Sequence, residues 1–116
     1  MNIADKIRES RKITVKLDAG VEFYAHRLTV EGAVKYHQGM TDTDLCRQQV
    51  FGWSGITSNM LCGDGGTEPV PFDQELFDLA IGDNPEWWAA IAEQVSKYSM
   101  DRMVQIAESK KKSMKG

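Results

Sequence analysis

Few side chains in this 116-residue sequence have the types and spacing for covalent or metal chemistry. Its imidazoles and thiols are His26, His37, Cys46 and Cys62, and a Cys-His nucleophile pair or a zinc site would have to be drawn from these four. No two lie at the short spacing by which one turn or one helical face offers two donors together, so neither site is expected, and both cysteines read as structural. Asp83 and Glu86 are carboxylates that could share acid and base work, but at a helix start, capping and the helix dipole account for them at lower cost. Gly63-Asp64-Gly65-Gly66 is the nearest approach to a phosphate loop. It lacks the Lys and Ser/Thr that grip phosphate and metal, and the acids flanking it would repel an anion. No nucleophile elbow, zinc helix or dinucleotide fingerprint occurs. The expectation is therefore no catalytic residue, no metal and no cofactor.

Binding chemistry is better represented. Trp53, Phe72, Phe77, Trp87 and Trp88 all fall between Gln48 and Ser96, a stretch with eight acids (Asp64, Glu68, Asp73, Glu75, Asp78, Asp83, Glu86, Glu93) and no Lys or Arg. That segment carries −8. Residues 1–47 nearly balance, with eight bases and seven acids, and residues 97–116 carry six bases and two acids, or +4, which gives the total of −3. A bulky ring set among carboxylates suits a protein-binding hot spot, while a wide internal core and a solvated acidic face are the plainer readings of the same residues. As anchors the sequence offers Trp53, Phe72, Trp87 and Trp88, surrounded by Asp73, Asp78, Asp83 and Glu86. Trp87 and Trp88 stand about 100° apart around a helix, so covering both needs a broad contact. The acidic block disfavours nucleic acid and favours a cationic surface. The basic tail of a neighbouring copy is one such surface, and that contact would build a head-to-tail oligomer.

The elements that must position these residues can be read in order. Ile13, Val15 and Leu17 alternate with polar residues, Ala19-Gly20 can turn the chain, and Val21 to Leu28 is β-branched and aromatic, so a hairpin is predicted with Val21, Phe23 and Ala25 on one face. Thr29 can cap a helix to about Gln38, stopped at Gly39. A second helix from Thr41 or Thr43 places Cys46, Val50 and Trp53 at helical spacing. Residues 55–71 read as a long loop. Asp73 caps the next helix, with Phe72 packing on Phe77 as a hydrophobic staple, and Gly82 ends it. Asn84-Pro85-Glu86 opens the last helix, predicted to run to about Ser109 with Trp88, Ile91, Val95 and Tyr98, then Met103 and Ile106, on one stripe.

The predicted class is α+β: one helix-dominated domain over residues 1–109 with an N-terminal hairpin and a long C-terminal helix, followed by a basic flexible tail at 110–116. A composition of 41% hydrophobic and 27% charged residues supports a packed core rather than disorder. No apolar run approaches the roughly 20 residues of a membrane span, and Met1 to Lys12 lacks the apolar segment of a signal peptide, so a cytoplasmic protein is expected.

Three stretches together resemble a known family. Phe51-Gly52-Trp53-Ser54-Gly55-Ile56, read as a helix end, then Pro69-Val70-Pro71-Phe72-Asp73, then Asn84-Pro85-Glu86 are similar to the tail assembly chaperones of long-tailed bacteriophages. The similarity spans about residues 27–98, and the loop at 58–67 is longer than the family usually shows. The resemblance implies a non-catalytic protein of the bacterial cytoplasm, absent from the mature virion, that coats the tape measure protein and helps to gather tail tube subunits. It also implies that a longer product can arise by ribosomal slippage, for which Lys110-Lys111-Lys112 stands at the expected place. The other classes left open by the residues are a structural tail or head subunit, a small Cys/His enzyme and a nucleic-acid-linked regulator using the basic tail.

Overall fold

The structure, a computed structural model, describes residues 2–115, and the surroundings of side chains for residues 2–111. In chain order the elements are α1 (Ile3–Ser10), β1 (Lys12–Lys16), β2 (Glu22–His26), α2 (Val30–His37), α3 (Asp42–Gln49), β3 (Val50–Ser54), α4 (Ser58–Cys62), α5 (Gln74–Ala80) and α6 (Pro85–Lys115). The class is α+β and helix-dominated, as expected, with one three-stranded antiparallel sheet in the order β1-β2-β3.

The hairpin forms where the alternation places it. Lys12 pairs with His26 and Lys16 with Glu22, and the turn between the strands uses Ala19 at φ 61°. Val15, Val21, Phe23 and Ala25 are buried on the inner face, against α6.

The third strand is a departure from the sequence reading, which continued the helix at Thr41 through Trp53. Thr41 does cap α3, its hydroxyl accepting the Asp44 amide, but the helix stops at Gln49 and Val50–Ser54 joins β2. Two facts explain the misreading. The run is β-branched and aromatic, which favours a pleated surface. A bulge then shifts the register, so that Tyr24 faces Gly52 while Ala25 faces Val50, leaving Phe51 as the extra residue. Val50 and Trp53 therefore share the inner face three residues apart, a spacing that a regular strand forbids and a helix imitates. Gly55 ends a strand, not a helix. Its φ is +78°, and a β-carbon there would lie 2.3 Å from the Gly20 carbonyl oxygen, so the chain can pass the hairpin turn only as glycine.

Two further elements were not expected. Residues 3–10 form α1, capped by the Asn2 carboxamide oxygen accepting the Asp5 amide. Within the long loop, Thr57 caps the short α4, Gly63 stops it in the left-handed conformation, and Asp64 accepts from Ser58 Oγ and the Gly66 amide. Those two bonds hold the Asp64 carboxyl below its ordinary pKa.

α5 starts as predicted, with Asp73 accepting the Leu76 amide and the Phe72 ring 6.2 Å from Phe77. It ends at Ala80, and a single 3₁₀ turn, Ile81–Asp83, leads into α6. The Asn84 carbonyl accepts the Trp87 and Trp88 amides, while its side-chain amide donates to the Ala80 carbonyl. Along α6 the covered stripe is Trp87, Ile91, Ala92, Val95 and Ser99, so it begins at Trp87 and not Trp88, and Tyr98 is half exposed under the Arg27 guanidinium. The helix passes the expected end at Ser109 and keeps helical backbone through Lys115; residue 116 of the expected basic tail lies outside the described residues.

Candidate partner-binding site

The predicted anchors separate into an internal set and a surface set. Trp53, Phe72, Phe77, Phe23 and Trp87 form a continuous series of rings: Trp53 to Phe72 is 5.1 Å, Phe72 to Phe77 6.2 Å, Phe77 to Phe23 5.8 Å and Phe23 to Trp87 5.2 Å. Tilted and edge-on contacts at such distances add to the stabilisation from burial. Trp53 is 7% exposed, with its indole N–H donated to the Val70 carbonyl at 2.7 Å, and Trp87 is 5% exposed. Both are core residues. This corrects the assignment of these two indoles as anchors for a partner, since a ring held on every side has no face left to offer. Phe72 and Trp88 are half-buried at the core's edge, and the Trp88 carbonyl accepts the Cys46 thiol.

The four acids also take different parts. Asp73 is engaged in capping α5, and Asp78 accepts the Gln74 amide at 2.9 Å while its carbonyl takes the Arg47 guanidinium. Glu86 is exposed beside Trp87 and Met60 in a cleft under the hairpin turn. Of the four, only Asp83 lines the apolar recess between α4 and α5.

That recess is a groove of about 590 Å³ between α4, the returning segment at Val70, and α5. Leu61, Val70, Leu76, Leu79 and Ala80 make its walls, with Asp83 and Asn84 at one end and Ser58 and Cys62 at the other. Leu76, Leu79, Ala80 and Asp83 follow at intervals of three and four, so one face of α5 and the turn after it forms a whole wall. Leu79 is 70% exposed, the largest value among the large apolar side chains of the described residues. The opposite face of α5, carrying Phe77, is buried. A short helix apolar on two faces was the available signal: Leu76, Phe77, Leu79, Ala80 and Ile81 are more apolar residues than one core-facing stripe can use.

The groups that could do covalent chemistry are not brought together with one another in this groove. Cys46 is buried among the core residues, and burial, aided by the nearby Asp42 carboxylate, pushes its thiol up to about 12, so almost no thiolate exists at neutral pH. Cys62, expected to be structural like Cys46, is exposed at the groove's end. Neither histidine lines the groove. Among the described residues no group of three or more His, Cys, Asp and Glu is placed to hold a metal ion, and no helix is long and apolar enough to cross a membrane.

Comparison with family models, with curated proteins and with solved structures finds no match for this chain in any of the three.

Proposed function

We propose that this protein is a non-catalytic assembly chaperone of a long-tailed phage, acting in the bacterial cytoplasm by masking apolar helical segments of the tape measure protein and helping to gather tail tube subunits. The observation that carries the reading is Leu79 standing 70% exposed in an apolar groove closed by Asp83. A groove walled by leucines accepts the apolar stripe of an amphipathic helix, and the carboxylate at its end favours a Lys or Arg at the edge of that stripe. An extended client with repeated stripes would take up many such copies. The exposed Met100 and Val104 lie on one face of the outer part of α6 and the exposed Ile106 on another, all near the Lys-rich end of the helix, and they add apolar surface there. Docking of that end on the acidic face of the next copy is the head-to-tail contact by which copies would line a rod-like client, and it should weaken with salt.

The test is co-expression with a tape measure segment that precipitates alone. Wild type is expected to keep the segment soluble and to elute with it, and Leu79→Asp, at an exposed position where folding is little affected, is expected to lose both effects. If folded Leu79→Asp protects the segment as well as wild type, the groove is not the client site.

A further inference from the structure

A second recess lies beside the sheet, away from the groove, and its chemistry is opposite. About 370 Å³ in volume, it is lined by Arg8 and Arg11 from the end of α1, His26 and Arg27 from the end of β2, Leu28, Thr29 and Gly32 at the start of α2, and Gln49 from α3. No carboxylate lines it.

Three arginines line the recess with no acid among its lining residues, and the arrangement around them shows which are committed elsewhere. Arg8 is ion-paired with Asp5 at 3.0 Å on the exposed side of α1. Arg11 and Arg27 are both half-buried, and among the described residues neither has an ion pair. Arg27 is held in place by stacking 3.8 Å over the Tyr98 ring and by donating to the Leu28 carbonyl at 3.2 Å. The nearest acid on α2, Glu31, pairs with Lys35.

The backbone beneath is fixed. Arg27 donates its amide to the Arg11 carbonyl at 2.7 Å, and Leu28 donates to the Val95 carbonyl at 2.8 Å. Ser99 Oγ donates to the Leu28 carbonyl, and Gln49 holds the His26 carbonyl at 2.7 Å. Arg27 is thus presented by a segment clamped to α3 and α6, Arg11 is tied to that segment through its carbonyl, and Thr29 and Gly32 bring the start of α2 to the same recess.

We infer that this recess is a binding site for a phosphate group, with Arg11 and Arg27 as its principal ligands and Arg8, His26 and the first turn of α2 around it. A lone carboxylate would satisfy one guanidinium fork and leave the others uncompensated, whereas a phosphate dianion offers acceptor oxygens in several directions and two charges to set against the cluster. The volume exceeds that of phosphate alone and falls at the small end of ligand sites, so the group can be free phosphate or the phosphate of a small nucleotide.

The full chain would be titrated with inorganic phosphate and, separately, adenosine 5′-monophosphate, at constant ionic strength balanced with chloride, following the arginine Nε–H resonances. Saturable shifts of Arg11 and Arg27 are expected, with affinity reduced about tenfold or more in Arg11→Gln, the loss of one charge-assisted contact pair. Arg47→Gln, a change outside the recess, should leave the affinity unchanged. Arg27→Lys keeps the charge but loses the fork and the Tyr98 stacking, so a reduced affinity is expected in it, and wild-type affinity would remove Arg27 as a principal ligand. Equal affinity for the two probes assigns the site to phosphate itself, and a tighter nucleotide assigns it to a nucleotide phosphate. Shifts that stay linear for both probes and match the chloride control, or wild-type affinity in Arg11→Gln, overturn the inference.

Discussion

The inner and outer parts of α6 share one helical period and meet different surroundings. From Pro85 to Ser99 the helix lies on α2, α3 and the hairpin, and Trp87, Ile91, Val95 and Ser99 are buried in that contact. Its last clamps are the Leu28 amide on the Val95 carbonyl and the Ser99 hydroxyl on the Leu28 carbonyl. Beyond them Met103 still touches the core, but Ile106, in line with Val95 and Ser99, is 40% exposed, and Val104, on the opposite side of the helix, is 54% exposed. The molecule is accordingly long, 64 × 35 × 22 Å with a radius of gyration of 17.0 Å, against about 13 Å for a compact domain of similar size. The two parts cannot be told apart by amphipathicity. Burial is decided by whether another element reaches the stripe, so an apolar residue at helical spacing is evidence of a contact without saying whose.

The largest effect that would sharpen this contrast is at Trp87. Trp87→Ala is expected to cost about 3–5 kcal/mol of unfolding free energy, read from urea or thermal midpoints, because it removes the ring that meets Phe23 and leaves a cavity under the hairpin. An equal loss from Val104→Ala would break the comparison.

A smaller effect should follow from pH. The Cys46 thiol, packed against the inner part of α6, is raised from 9.0 to about 12, and Tyr36, through its hydrogen bond to Asp42, from 10.0 to about 12. A folded-state pKa above the unfolded one gives stability that is complete below pH 9 and is lost as pH rises through 12. Each group can account for at most about 1.4 kcal/mol per pH unit in that window. Cys46→Ala should make the decline between pH 9 and 12 shallower and leave the Tyr36 part, which begins near pH 10. Urea midpoints at pH 8, 10 and 11 measure it, and an unchanged slope would show that the thiol does not meet the packing described. At neutral pH the same burial makes Cys62 the fast thiol and Cys46 the slow one toward a labelling reagent, with unfolding needed to equalise them.

The smallest effects belong to the outer part. Val104→Ala and Ile106→Ala should each change stability by no more than about 0.5 kcal/mol, as exposed positions do, while reducing capture of the tape measure segment or salt-sensitive self-association measured by light scattering. A loss of 2 kcal/mol or more at either position, about what a buried aliphatic side chain costs, would mean that the outer part is packed after all.

Local signals carried much of the fold. The hairpin, the caps at Thr29, Thr41 and Asp73, the Phe72–Phe77 staple and the start at Pro85 all depend on contacts within a few residues, and such contacts are legible because the chain itself brings the partners together. The candidate site was far less legible. The largest rings are the anchors the sequence offers, yet Trp53 and Trp87 go to the core and Leu79, an ordinary leucine, is left in the open.

What the sequence determined by itself was the hairpin, the starts of α2, α3, α5 and α6, the α+β class, the segregation of charge and the buried state of Cys46. The tertiary structure alone decided the strand identity of Val50–Ser54, which exists only by pairing with β2 across a bulge, and the side of the surface on which each apolar residue falls. It also decided the meeting of Arg11 with Arg27. Those outcomes depend on residues far apart in the chain, and neither a local propensity nor a helical period contains the position of the distant partner.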